Sequence, residues 1–200
     1  MKLWHCKSSR SFRALWAIEE MQLDCDVELV KFPPRILQPE YLEVNPLGTV
    51  PYLTDGKTAL TESSGICHYL AEKYRKDDFV LKPDHAEYGS FINWLYHSDA
   101  TLTFPLTIVL RYRILEPDKY PQVADDYAKW HVARTRLLDK HLEKREFLCG
   151  DKFTIADIAV TYALYLGDHL KVSEYYSPHM MDYLNRMKMR PAFQRAENYE

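Results

Sequence analysis

A break near residue 80 constrains what this chain can fold into more than any other feature. Before it, short apolar or alternating segments are separated by stretches with helical spacing; after it, every long segment reads as helix and no strand is evident. Lys2 to Cys6 and Asp26 to Phe32 read as strands, and between them Phe12, Leu15, Trp16 and Glu19-Glu20 recur at helical spacing, the pattern of a βαβ unit. The stretch from Pro33-Pro34-Arg35 to Asn45-Pro46-Leu47-Gly48 is turn-rich, with one helical turn expected at Pro39 to Glu43. Pro51 to Thr54 and Ala59 to Thr61 predict two short strands. They are joined at Asp55-Gly56, where glycine's tolerance of positive φ favours a tight antiparallel hairpin. A helix from Ser63, carrying Ile66, Cys67, Tyr69 and Leu70 on one side, ends the series at Lys73 to Lys76.

The expected order is therefore β-α-β-α-β-β-α over residues 1–78, a linker over 79–86, and an all-helical domain over 87–200. Helices are expected from Ala86 to about Leu115 with a bend at Pro105, from Pro121 to about Glu146, from Thr154 to about Leu166, from Pro178 to about Met187, and briefly after Pro191. Thr154 and Asp157 have the spacing of a capping box, closed by a staple of Phe153 on Ile158. Ile155, Ile158, Ala159, Tyr162 and Leu166 follow at helical spacing, so this helix is expected at the centre of the second domain with a role in folding.

Composition narrows the function. A net charge of −3, from 26 basic and 29 acidic residues, provides no basic field for nucleic acid or an anionic membrane. The longest apolar stretch, Phe104 to Leu110, is interrupted by Pro105 and Thr107 and falls short of the ~20 residues of a membrane span. The opening Met-Lys-Leu-Trp-His-Cys has no secretory pattern, so a cytoplasmic location is expected. Cys6, Cys25, Cys67 and Cys149 are scattered without a CxxC pair; they read as buried apolar fillers, and no metal site is expected.

Three short segments carry polar groups at element ends. Ser8-Ser9-Arg10-Ser11 lies where the first strand meets the first helix; a serine there either caps the helix or donates to an anion or thiolate beside the positive helix end. Val50-Pro51 opens a strand with a proline, which reads either as an ordinary edge or as a cis bond that turns the Val50 backbone outward to receive an extended peptide. Glu62-Ser63-Ser64 sets a carboxylate beside a helix N-terminus. It reads as a solvated Glu next to a cap, or as a seat for a ligand bearing both ammonium and carboxylate.

In combination these residues resemble the cytosolic glutathione S-transferase superfamily along essentially the whole chain. The resemblance rests on Ser9-Arg10-Ser11-Phe12-Arg13, Asn45 through Leu53, Glu62-Ser63, Tyr69 through Tyr74, the Thr154 to Asp157 cap and Arg190-Pro191-Ala192-Phe193. It implies a thioredoxin-like N-terminal domain followed by an all-α domain. Glutathione is then expected as co-substrate without a resident cofactor, with a small hydrophobic electrophile as second substrate lodged between the domains, and a homodimer. By the same resemblance Pro51 follows a cis bond, the Val50 main chain meets the cysteinyl part of glutathione, Glu62 and Ser63 hold its γ-glutamyl end, and Gln38 reaches the glycyl end. With no tyrosine near the end of the first strand, the match is to a serine-type, bacterial or fungal-like class. Ser9 then activates the sulfur, with Ser8 the neighbouring alternative, and Arg10 adds positive charge. Tyr96, His97, Thr101 and Tyr112 are polar or aromatic candidates to face the electrophile, and neither His97 nor His5 is assigned a role. The implied activity is conjugation of the glutathione thiolate to hydrophobic electrophiles. A glutathione-dependent isomerase, like maleylacetoacetate isomerase, and a non-catalytic ligand-binding scaffold are the alternatives.

Overall fold

The alternating segments of the first part build a four-stranded sheet in a computed structural model that describes residues 1–200. β1 (Lys2–His5) runs parallel to β2 (Asp26–Leu29), and a parallel pair requires a crossover, here α1 (Ser11–Met21). After α2 (Pro34–Leu37) and a single 3-10 turn at Pro39–Glu43, β3 (Tyr52–Asp55) returns antiparallel to β1, and β4 (Thr58–Leu60) antiparallel to β3, before α3 (Ser63–Lys73). The strand order is β2-β1-β3-β4.

Leu3 and Leu53 pair across β1 and β3 and are fully buried. Phe12, Leu15 and Trp16 of α1 and Ile66 and Leu70 of α3 complete this core. Gly56, at φ 61°, supplies the left-handed residue of the hairpin. The hairpin is tied to α3 through Asp55, whose Oδ2 accepts from Tyr69 at 3.1 Å, Tyr74 at 2.8 Å and the Lys73 ammonium at 3.0 Å, holding its carboxyl below the usual range.

The second unit, Leu81–Lys188, is helical. α4 (Tyr88–His97) continues through a π-helical stretch into α5 (Phe104–Leu110) and a second π-helical stretch to Leu115. Pro105 is the second residue of α5, directly after the first π-helical stretch, so the irregularity falls where a proline interrupts the helical hydrogen-bond ladder. α6 (Pro121–Arg134), α7 (Arg136–Leu142), α8 (Ile155–His169) and α9 (Pro178–Lys188) follow, so the helix expected from Pro121 to Glu146 is divided at Thr135. α8 is buried from Ile155 to Gly167, with Thr154 and Asp157 closing the capping box. Asp157 also accepts from the Leu148 N–H at 3.0 Å and the Tyr183 hydroxyl at 2.9 Å, so one carboxylate joins the loop before α8 to α9.

The end of the chain departs from expectation. Met189–Glu200 packs with Met1–Val80, whereas sequence predicts one helical domain over 87–200. In α10 (Pro191–Glu197), Phe193 meets Phe12 and Trp16 edge to face at 4.8 and 4.9 Å. Arg190 forms a bidentate pair with Glu20 at 2.6 and 2.9 Å. Two further differences are local. β2 stops at Leu29 because the chain turns through the cis Phe32–Pro33 bond into α2, which sequence reads as loop. β3 starts at Tyr52, one residue late, because Pro51 has no N–H for the ladder.

Candidate active site

Three chain segments converge at one end of the sheet. β1 ends at His5; β3, running opposite, begins beside it with Tyr52 facing Trp4; β4 runs back to the same end and releases the chain into α3. The turn from β1 to α1, the Val50-Pro51 approach to β3, and the start of α3 are therefore neighbours. Arg13, fully buried in α1, confirms the proximity with a 3.1 Å bond from Nη1 to the Ser63 hydroxyl.

The serine turn is organised by short contacts. Ser8 is exposed and takes a left-handed φ of 60°. Ser9 is 8% exposed, and its Oγ lies 2.7 Å from the Cys6 carbonyl and 2.7 Å from Ser11 Oγ. Ser11, wholly buried, lies 2.7 Å from His5 Nδ1 and accepts from the Cys6 N–H at 3.0 Å. From the sequence Ser11 stands only as one member of the serine cluster and His5 carries no assigned role; the i, i+2 spacing of Ser9 and Ser11 is the one local signal of their contact. The N–H groups at the start of α1 are used within the turn, Ser11 N–H by Ser9 Oγ, Phe12 N–H by the Ser9 carbonyl and Arg13 N–H by the Arg10 carbonyl. An anion here meets the helix dipole and the hydroxyls, and these three amides are not open to it. Arg10 stands half-buried at the N-cap of α1.

At β3 the Val50–Pro51 bond is cis. The Val50 side chain packs with Trp4, Cys6, Val30 and Tyr41, while its backbone lies outside the ladder, which begins at Tyr52. At α3, Glu62 occupies the N-cap with an exposed side chain and gives no side-chain cap. Gln38 lies between α2 and the 3-10 turn, where its Oε1 accepts from the Lys31 N–H at 3.2 Å.

The thiols are unsuited to attack. Burial pushes Cys6 and Cys25 up to about 11 and Cys149 up to about 12, and Cys67 donates to the Arg13 carbonyl at 3.4 Å. Cys25 is half-buried, where sequence predicts a buried filler. In the helical unit, Tyr96 is exposed and His97 is half-buried with its Nε2 unpartnered.

Two family models match, the glutathione S-transferase N-terminal domain over residues 3–78 and the glutathione S-transferase C-terminal domain over 132–191. Glutathione S-transferase 3 of Zea mays is 31% identical over 174 residues, 80% of this chain and 75% of its own. The chain belongs to the glutathione S-transferase family. Among solved structures it resembles glutathione transferase URE2P6 from Phanerochaete chrysosporium in complex with oxidized glutathione, at 25% identity and a TM-score of 0.83 over 98% of this chain and 93% of that one. The fold is also that of a sphingomonad glutathione S-transferase complexed with glutathione, at 22% identity and a TM-score of 0.86 over 98% and 97%. The family fold of a thioredoxin-like domain followed by a helical one is thus present. No helix is long and apolar enough to cross a membrane.

Proposed function

We propose that this family member is a serine-type glutathione transferase that conjugates the glutathione thiolate to small hydrophobic electrophiles. The observation that carries the reading is the start of α3, where a helix N-terminus without a side-chain cap stands beside the exposed Glu62 carboxylate. The γ-glutamyl end of glutathione carries an ammonium for Glu62 and a carboxylate for Ser63 and the helix end. The Val50 main chain, unpaired ahead of β3, receives the cysteinyl backbone as an added strand, Pro51 fixes that approach, and Gln38 borders the glycyl end.

Ser9 is the donor to sulfur, and Arg10 adds positive potential beside it. A free thiol, with an ordinary value near ~8.5, is mostly protonated at neutral pH; a hydroxyl donor and a helix end favour the thiolate. The thiol proton leaves to solvent. The sulfur lone pair then forms a bond to carbon: a halide departs with the C–X electron pair, or the β-carbon of an α,β-unsaturated carbonyl accepts the sulfur and water protonates the resulting enolate. A homodimer in the cytoplasm accompanies this reading.

Calorimetric titration with glutathione tests it. Wild-type protein is expected to bind, and Glu62→Gln to bind about 10-fold more weakly, the loss of about 1.4 kcal/mol from one charge-assisted contact. Undiminished binding by the variant contradicts the assignment, and binding without turnover of any electrophile favours a scaffold.

A further inference from the structure

We propose that His5 and Ser11 are positioning residues of the sulfur site, forming a one-way chain of hydrogen bonds that ends on the Ser9 hydroxyl. The inference rests on Ser9 as the donor to glutathione sulfur. Three contacts of 2.7 Å run in series, from His5 Nδ1 to Ser11 Oγ, from Ser11 Oγ to Ser9 Oγ, and from Ser9 Oγ to the Cys6 carbonyl. Contacts this short each require a proton.

The two hydroxyls supply two protons, so the third must come from the imidazole. If Nδ1 is bare, Ser11 donates to His5, and the one proton of Ser9 serves either Ser11 or the Cys6 carbonyl. One of the two 2.7 Å contacts of Ser9 Oγ is then left with no proton between two acceptors. If Nδ1 carries hydrogen, His5 donates to Ser11, Ser11 to Ser9, and Ser9 to the carbonyl, and every contact is filled. Only this direction satisfies the geometry.

The consequence is for sulfur. In this direction Ser9 Oγ accepts from the Ser11 hydroxyl and from the Ser11 N–H, and its own proton has one local acceptor, the Cys6 carbonyl. That carbonyl keeps the Ser9 N–H at 3.2 Å when the hydroxyl turns away. Ser9 can therefore turn its proton to a thiolate without orphaning a buried group, and a hydroxyl that accepts two bonds is a stronger donor. With the opposite tautomer the Ser11 proton is donated to His5, so Ser9 loses the Ser11 hydroxyl as a donor to it and with it the strengthening of its own O–H.

The first test uses the unaltered protein: imidazole nitrogen NMR is expected to find His5 with hydrogen on Nδ1 and a bare Nε2, and hydrogen on Nε2 alone overturns the proposal. The second is the ultraviolet titration of bound glutathione in variants. His5→Leu and Ser11→Ala are expected to move the thiol midpoint back toward that of free glutathione, and His5→Asn, whose amide N–H replaces Nδ1–H, to restore it. A midpoint lowered in wild type and lost in Ser9→Ala but kept in His5→Leu refutes the chain and leaves Ser9 standing. A midpoint that is not lowered in wild type, or that survives Ser9→Ala, refutes the reading on which the chain rests.

Discussion

Arg13 and Ser63 join the first turn of α1 to the first residue of α3 by a 3.1 Å hydrogen bond between two buried side chains. The Ser63 oxygen accepts this bond, and in the proposed γ-glutamyl contact its own proton is the one offered to the ligand carboxylate. Arg13→Met, which keeps the buried stem and removes the donor, is expected to weaken glutathione binding about 10-fold, within the range for a hydrogen bond to a charged group. Calorimetric titration measures this, and an unchanged affinity shows that the Arg13 bond does not position Ser63 for glutathione.

Asp157 is the polar anchor of the helical unit. Its partners, the Thr154 N–H and hydroxyl, the Leu148 N–H and the Tyr183 hydroxyl, all donate, so they match an ionised carboxylate. Burial opposes that charge and pushes the group up to about 6. Asp157→Ala leaves several buried donors without an acceptor, and a loss of about 3 kcal/mol, or a fall in Tm of roughly 10 °C, is expected. Thermal denaturation checks it; a fall of only a degree or two shows that water or neighbouring carbonyls take over the donors.

Acid should weaken the fold through histidine. Burial holds His5 and His131 at about 4, against 6.5 for an exposed imidazole. In the helical unit His131 lies with Nδ1 3.0 Å from the Leu102 carbonyl and Nε2 2.8 Å from the Tyr176 hydroxyl. As pH falls below 6.5 the unfolded chain takes up protons that the folded chain refuses. The stability contributed above 6.5 is therefore lost between 6.5 and about 4, up to about 3 kcal/mol from each histidine. Denaturation midpoints measured across that range are expected to fall steadily, with a shallower slope in His131→Asn. Asp157, pushed up to about 6, takes up its proton in the folded chain first and offsets part of this loss, so the comparison decides: a slope in His131→Asn as steep as in wild type contradicts the burial of His131.

The element order was legible because each element of the first part is short and bounded by Gly or Pro, and the capping box because its two residues are three apart. Of the two meanings of Val50-Pro51, the cis bond is the one observed. What sequence could not supply is long-range. The partners of Phe193 are Phe12 and Trp16, at the far end of the chain, and nothing local at Pro191 distinguishes a helix that closes the second unit from one that returns to the first. α2 was hidden because Pro33-Pro34 reads as a breaker although proline suits a first helical turn. At the site, types and positions could be named, but that Ser8 is exposed, that Ser9 is buried, and that the first amides of α1 are already used follow only from three-dimensional closure of the turn.

Whether Ser9 lowers the thiol of bound glutathione is read from the thiolate absorbance of glutathione titrated with pH on the wild-type protein, on Ser9→Ala and on Ser8→Ala. A midpoint below that of the free thiol, retained in Ser8→Ala and lost in Ser9→Ala, is expected. An unshifted midpoint, or one lost in Ser8→Ala and kept in Ser9→Ala, contradicts the role of Ser9.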